Sequence, residues 1–197
     1  MACRPALPRC IFAPVIYGGP EGLIGNEEEI VLFVKFLRLP HTADDSHSVF
    51  MSLITDLSQR PPRSPKARLG GYALLPRMLD KCRAEIAGTP GTFHYACPND
   101  QRILTFLGID ADALKAEVAR GGGDGAVLAW IKANQRNKHA AHEIEAWSDA
   151  SDKRRPTADD QARFDSYLAE CGPGRTDIVY WSDLLDLDDY VSYGGKA

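Results

Sequence analysis

The sequence predicts an all-α protein, a compact bundle of about seven short helices with at most one small strand. Apolar residues recur at helical spacing through most of residues 75–185, and glycines or capping residues separate one such stretch from the next. The chain of 197 residues, of which 44% are hydrophobic and 25% charged, is long enough to bury a real core. We therefore expect one helical domain with an additional terminal segment.

Residues 1–50 differ from the rest of the sequence, because prolines and glycines are scattered through their first half. One apolar run, from Ile30 to Leu39, follows, and no second amphipathic element stands near it. We expect residues 1–50 to be a poorly structured upstream extension, with Met51 as the natural start and residues 51–197 as a single helical domain. N-terminal sequencing of the native protein tests this expectation.

A leader, residues 60–68, precedes the first predicted helix. Its proline-rich part, residues 60–65, should be extended, since proline disfavours helix at the residue before it. After the leader, apolar residues at i, i+4, i+7 and i+11 predict a helix with one apolar stripe. Its members are Leu75, Leu79, Cys82 and Ile86. Pro76 suits the first turn of this helix, and Gly88 suits its end. Residues 92–97 alternate weakly, which is typical of a short strand or an extended link.

Capping signals mark the next two predicted helices. Asn99 or Asp100 can cap the first of them. Asp110 occupies an N-cap position for the second, with Ile109 before it and Leu114 at the fourth helical position. These two apolar residues form the pattern of a hydrophobic staple.

Four further helices are predicted towards the C-terminus. Asp124 can cap one of them after a run of glycines, and the next is marked by its apolar spacing. Thr157 can cap a helix that stops at Gly172. Thr176 or Asp177 can begin the last helix.

Composition and charge exclude several classes of protein. The formal net charge of −4 and the pI of about 5.7 argue against a surface built throughout for phosphate backbones or anionic lipid. The five cysteines are odd in number and include no C-x-x-C pair, so we expect reduced thiols in a cytoplasmic protein. No apolar run reaches the roughly 18 residues of a membrane span, so no membrane partner is expected.

Seven short motifs occur in order along the chain: residues 56–65 (DLSQRPPRSP), 69–72 (LGGY), 75–81 (LPRMLDK), 93–95 (FHY), 97–98 (CP), 106–108 (FLG) and 181–187 (WSDLLDL). Together they resemble the family known as domain of unknown function 5069, over roughly residues 51–189. The resemblance implies a compact bacterial-type domain, and it implies no reaction, cofactor or partner. It also implies that the native chain starts near Met51.

Two adjacent glycines, Gly70 and Gly71, directly precede the first predicted helix. Glycines there let a ligand approach the backbone, while the first amides of the helix still lack partners. Arg68 and two further cations arrive from the leader, and Arg77 lies within two turns downstream, so that these charges can converge on a terminus that attracts anions. A small anionic ligand is therefore one hypothesis. The alternative is that the glycines only form a tight turn and the cations keep the leader soluble.

A second candidate site lies on the polar side of the same helix. Arg77 and Lys81 can line a cleft that the segment carrying His94 and Tyr95 closes. His94 would then be a general acid/base catalyst, with Arg77 and Lys81 as clamps for substrate charge and Tyr95 as a binding residue. The alternative is a solvated helix face whose charges pair locally.

No metal site and no cofactor are expected from the histidines and cysteines. His139 and His142 are three residues apart on a predicted helix, but their order fits neither zincin pattern. His94 and Cys97 have a ligand-like spacing, whereas zinc takes three or four protein ligands. The same two residues could form a nucleophilic pair, but Pro98 is expected to leave no helix N-terminus directly after the thiol to activate it.

Since no catalytic constellation is complete, the sequence predicts a non-catalytic binding or interaction module. The first alternative is a small enzyme that acts on an anionic metabolite, with His94 as its acid/base group. The second alternative is nucleic-acid binding through the four cations of residues 60–68. It is disfavoured, because no aromatic residue is interleaved with those cations to stack on bases.

Overall fold

Seven α-helices follow one another through the described part of the chain, which is residues 56–197 of a computed structural model. They are α1 (Leu75–Ile86), α2 (Pro98–Leu107), α3 (Ala111–Val118), α4 (Asp124–Asn134), α5 (Ala141–Asp152), α6 (Gln161–Cys171) and α7 (Trp181–Ser192). No strand occurs within residues 56–197, where Leu69 and Tyr72 form an isolated β-bridge. The prediction of an all-α fold is confirmed.

The described residues all belong to one compact unit. The predicted extension over residues 1–50 and the predicted start at Met51 lie outside them, and both stay predictions. Within residues 56–197, no helix combines the length and the apolar character needed to cross a membrane. The cysteines of this range are Cys82, Cys97 and Cys171, and all three are buried free thiols.

Helix α1 forms where the apolar stripe predicts it, and it buries that stripe. Leu75 and Cys82 have no exposed surface, and Pro76 lies in the first turn. The backbone leaves the helix through Gly88, whose φ of +72° is the left-handed conformation typical of a helix end. Ile86, the last member of the predicted stripe, is 42% exposed instead.

Helix α3 begins at the cap that the sequence predicts. The carboxylate of Asp110 accepts a hydrogen bond from the amide of Ala113 at 3.0 Å, which satisfies one of the open amides of the first turn. Ile109 and Leu114, on either side of the cap, are buried in the same apolar cluster. The predicted pairing of cap and staple is therefore present in full.

Two predicted caps are wrong because their side chains bind cations from elsewhere in the chain. Asp124 is the first residue of α4 rather than its cap, and its carboxylate accepts a hydrogen bond from Arg63. Asn99 and Asp100 both lie inside α2, and Asp100 binds the ammonium group of Lys81. A single sequence reveals the capping residue type but not the distant partner that competes for it.

The predicted starts of α6 and α7 are also wrong. Thr157 lies in a turn before α6, where its hydroxyl donates to the carboxylate of Asp160 at 3.0 Å. Asp177 accepts hydrogen bonds from Arg175 in the loop, and α7 begins later, at Trp181. Both helices are therefore shorter at their N-terminal ends than the capping residues predict.

Two of the three buried apolar clusters within residues 56–197 hold the helices together. The larger one joins α1 through α5, with fully buried members such as Met78, Leu107 and Ile131. The smaller one joins α6 to α7, where the rings of Phe164 and Trp181 meet edge to face with centroids 5.1 Å apart. Since α5 also contacts α7, the two clusters lie in one helical assembly.

Candidate functional site

Gly70 and Gly71 form a tight turn just before α1. The amide of Tyr72 donates to the carbonyl of Leu69 at 3.1 Å, and the amide of Leu69 donates back to the carbonyl of Tyr72 at 3.2 Å. The two glycines have φ angles of +61° and +90°, which residues with side chains rarely adopt in succession. A Cβ atom on Gly70 would lie 2.7 Å from Cδ1 of Leu128. Conformation and space both require glycine here.

Ser148 of α5 fixes this turn in place. Its hydroxyl donates to the carbonyl of Gly71 at 2.9 Å and accepts a hydrogen bond from the amide of Ala73 at 3.0 Å. The residue is fully buried. Because the hydroxyl binds the backbone on both sides of Tyr72, the turn cannot leave α5 without losing one buried and one partly buried hydrogen bond.

An open cleft of about 630 Å³ lies beside the glycine turn. Its wall includes Arg68, Gly70 and Gly71, three residues that the sequence predicts for ligand binding. Helices α4 and α5 and the segment between them supply most of the rest, including Lys132, Gln135, His139, Ile144, Glu145 and Asp149. The volume falls within the roughly 300–1,000 Å³ typical of small-molecule sites.

Charges of both signs line the cleft. The guanidinium of Arg68 donates to Asp152 at 2.7 Å and to Asp149 at 3.3 Å. The bonds to Asp152 raise the pKa of Arg68, while its partial burial opposes the rise. Lys132 and Glu145 form no ion pair with any residue of the described range. The cleft therefore presents one open cation and one open anion beside a cluster in which one guanidinium faces two carboxylates.

The polar side chains of the cleft are held by neighbours. The hydroxyl of Tyr72 donates to Oε1 of Gln135 at 3.3 Å, and burial raises the pKa of Tyr72. The ring of His139 stacks on Phe106 with centroids 3.8 Å apart, and its Nε2 lies 2.8 Å from the carbonyl oxygen of Phe106. His139 precedes α5, so it does not share a helix face with His142. Within residues 56–197, no group of three or more metal-ligating side chains could hold an ion.

Arg77 does not line this cleft, because it is buried against α7. Its guanidinium donates to the two carboxylate oxygens of Asp189 at 2.6 and 3.2 Å and to the carbonyl of Arg63 at 3.1 Å. It also lies over the ring of Phe93, 5.6 Å from the centroid. Burial opposes the charged form, but Asp189 outweighs it and raises the pKa of Arg77. The residue joins α1 to α7.

Lys81 is also buried, on the α2 side of α1. Its ammonium group donates to Oδ1 of Asp100 at 2.6 Å and to Sγ of Cys97 at 3.3 Å. Burial raises the pKa of Asp100 to about 6, although the charge of Lys81 acts in the opposite direction. The expectation that no helix N-terminus follows Cys97 is wrong: Cys97 is the N-cap of α2, and Pro98 occupies the first turn, where its fixed φ suits a helix.

His94 and Tyr95 lie on the link between α1 and α2, one exposed and one buried. The hydroxyl of Tyr95 donates to the carbonyl of Ala111 at 2.8 Å, and burial raises its pKa. His94 lies near Glu85, whose pKa is lowered mainly by its hydrogen bond from Lys115 and slightly by His94. Neither His94 nor Tyr95 is in the wall of the cleft, and the acid/base role of His94 stays a prediction.

The leader cations bind carboxylates on several helices. Arg63 donates to Asp80 of α1 at 2.8 Å and also binds Asp124 of α4. The ammonium of Lys66 binds Asp183 of α7, and this bond raises the pKa of Lys66. Partial burial opposes the rise, and further carboxylates add to it less strongly. Three of the four cations of residues 60–68 therefore pair with carboxylates of the protein.

The family described as Domain of unknown function (DUF5069) matches residues 59–191 of the chain. This match covers about two thirds of the sequence. The chain belongs to the DUF5069 family. The resemblance carried by the seven motifs is confirmed, with a span slightly shifted from the predicted residues 51–189. No curated protein matches the chain.

Sequence reasoning missed the half of the DUF5069 cleft that α4 and α5 contribute. Glu145, Asp149 and Asp152 follow at i, i+4 and i+7, which places three carboxylates on one face of α5. That acidic face is the signal that could have identified the partner of the leader. Nothing comparable marks Lys132, an exposed lysine near the end of α4.

Proposed function

We propose that this DUF5069 protein is a non-catalytic binding module of the cytosol, and that the cleft beside the glycine turn binds its small ligand. The observation that carries the proposal is the cleft itself. It combines Arg68, Gly70 and Gly71 with an open lysine, Lys132, in a volume of about 630 Å³. Because Ser148 fixes the turn, the cleft is formed before any ligand arrives, as small-molecule sites usually are.

The proposed ligand is a small polar molecule with an anionic group. Lys132 supplies a charge that no carboxylate of residues 56–197 neutralises, and a charge-assisted hydrogen bond to it is stronger than a neutral one. Gly70 and Gly71 line the same cleft as that charge, so their backbone borders the bound ligand. Glu145, also without an ion pair in this range, suits an amino or hydroxyl group on the same molecule.

Catalysis in this cleft has less support. Its only imidazole, within the described residues, belongs to His139, whose Nε2 is engaged by a backbone carbonyl. The nearby hydroxyl of Ser148 binds the backbone on both sides and faces no base. Nucleic-acid binding also has less support, because the leader cations Arg63, Lys66 and Arg68 bind carboxylates of the protein.

The test is an NMR titration of the ¹⁵N-labelled full chain with inorganic phosphate at millimolar concentration. The largest amide shifts are expected at Gly70, Gly71 and the end of α4 around Lys132. Replacing Lys132 by alanine should weaken phosphate binding about tenfold, since one charge-assisted hydrogen bond contributes at least about 1.4 kcal/mol.

Lys153→Ala is the matched control, because Lys153 is an exposed lysine at the end of α5 that does not line the cleft. It removes the same charge and should leave phosphate affinity unchanged. Equal weakening by the two variants would mean a general charge effect, and shifts scattered over the surface would show that the cleft binds no anion. Either result overturns the proposal.

A further inference from the structure

A second cluster of reactive groups lies away from the cleft, between α1 and α2. The ammonium of Lys81 donates to Sγ of Cys97 at 3.3 Å and to Oδ1 of Asp100 at 2.6 Å. All three residues are buried, with exposed fractions of 4%, 7% and 2%. Lys81 therefore joins a buried thiol to a buried carboxylate. Burying such a charged group costs free energy, and apolar side chains of similar volume would fill the same space without that cost.

The carboxylate of Asp100 is only half satisfied in this cluster. Its Oδ2 atom is buried and has no hydrogen-bond partner within residues 56–197. Buried carboxylate oxygens normally accept at least one hydrogen bond. Burial also raises the pKa of Asp100 to about 6, so this oxygen takes up a proton more readily than an ordinary aspartate does.

One cation therefore serves two acidic groups, Cys97 and Asp100. If the thiol proton moves to Oδ2 of Asp100, the ammonium of Lys81 pairs with a thiolate and the net charge of the cluster stays the same. Cys97 is also the N-cap of α2, and a helix N-terminus favours negative charge. An adjacent lysine and a helix N-terminus are both features of reactive cysteines.

The other described thiols lack this environment. Cys82 is fully buried, and burial raises its pKa to about 12. Cys171 is also buried, which raises its pKa to about 11. Thiols of this kind are unreactive at neutral pH. They serve as internal standards for Cys97 within the same molecule.

We propose that Cys97 is a modification site at which a small hydroperoxide oxidises the thiol to a sulfenic acid. The thiolate sulfur attacks one peroxide oxygen, so that an S–O bond forms while the O–O bond breaks. Sulfur loses two electrons and the peroxide gains them. The thiol proton, held meanwhile on Asp100, ends on the departing oxygen as an alcohol or water. The 7% exposure of Cys97 restricts the oxidant to a small molecule such as hydrogen peroxide.

The test uses the full chain with Cys3 and Cys10 replaced by serine, so that only the three described thiols remain. The protein is treated with hydrogen peroxide and dimedone at pH 7.5, and peptide mass spectrometry measures sulfenic acid at each cysteine. Cys97 should be labelled at least about tenfold faster than Cys82 and Cys171. Labelling of Cys97 at the same rate as these two, or more slowly, overturns the proposal.

Two variants test the role of Lys81. Asp100→Asn mimics the protonated carboxylic acid and leaves Lys81 to pair with the Cys97 thiolate. Water then supplies the proton to the departing oxygen in place of Asp100, so the labelling rate of Cys97 should rise severalfold. Adding Lys81→Met to that variant removes the cation without leaving a buried carboxylate, and labelling should fall to the level of Cys82. Circular dichroism confirms that both variants fold. If folded single and double variants label Cys97 equally, Lys81 does not activate the thiol and the proposal fails.

Discussion

The buried ion pair between Arg77 and Asp189 provides the most direct test of how α1 and α7 are held together. Its two hydrogen bonds are 2.6 and 3.2 Å long, and the side chains are only 5% and 8% exposed. Arg77→Met would leave the carboxylate of Asp189 buried without its cation. Removing one partner of a buried pair costs about 3–5 kcal/mol. That is a large part of the roughly 5–15 kcal/mol by which ordinary domains are stable.

Urea unfolding of the full chain measures this cost as a change in the free energy of unfolding. Arg77→Met combined with Asp189→Leu removes both charges and should recover most of the loss. Arg120→Met is the exposed control, because Arg120 is 76% exposed in its pair with Glu117 and should contribute less than about 1 kcal/mol. The reasoning is refuted if Arg77→Met unfolds within about 0.5 kcal/mol of the wild type.

Two further predictions concern other buried side chains. Trp181 is 3% exposed and packs edge to face on Phe164, so Trp181→Ala should lower the free energy of unfolding by about 3–5 kcal/mol. Urea unfolding measures this loss, and a loss below about 0.5 kcal/mol would contradict the packing role of the ring. Burial raises the pKa of Asp100 from 3.8 to about 6, so the protonated carboxyl stabilises the fold fully below about pH 4. This contribution to the free energy of unfolding falls by about 3 kcal/mol as the pH rises through about 6. Unfolding curves from pH 4 to 7 should show that Asp100→Asn lacks this fall, and identical pH profiles for the two proteins would disprove it.

The helices themselves were predictable from local patterns, and their boundaries only in part. The stripe that begins at Leu75 and the cap at Asp110 depend on residues within about three turns of each other, so the sequence contains all the information needed. The predicted caps at Asp124 and Thr157 are wrong because both side chains bind other partners. Asp124 binds Arg63, 61 residues away, and Thr157 forms a local turn with Asp160.

Apart from Arg68, the site was predictable where backbone conformation dictates the residue type. Adjacent glycines before a helix indicate a turn with positive φ, and Gly70 and Gly71 do line a cleft. Arg77 and Lys81, by contrast, occupy the polar side of an amphipathic helix, which ordinarily faces solvent. The burial of Arg77 depends on Asp189, 112 residues away, and that of Lys81 depends on Asp100 of α2. No local pattern reveals the helix packing that brings these pairs together.

The same contacts explain why the leader is rich in both proline and cations. Pro65 is almost fully buried, and its carbonyl accepts a hydrogen bond from the amide of Leu74 at 3.0 Å, so the leader packs directly against the entrance to α1. Ser64 donates to Asp186 of α7 at 3.0 Å, while Arg68 binds the acidic face of α5. Helices of 8–12 residues are marginal in isolation, and a segment bound to several of them reduces their freedom to separate. A protein that binds a phosphate backbone gains affinity because its exposed cations displace the counterions condensed on the polyanion. Cations already bound to aspartates do this only weakly. The basic residues of the leader are therefore better explained as ties within the protein than as contacts for a polyanion.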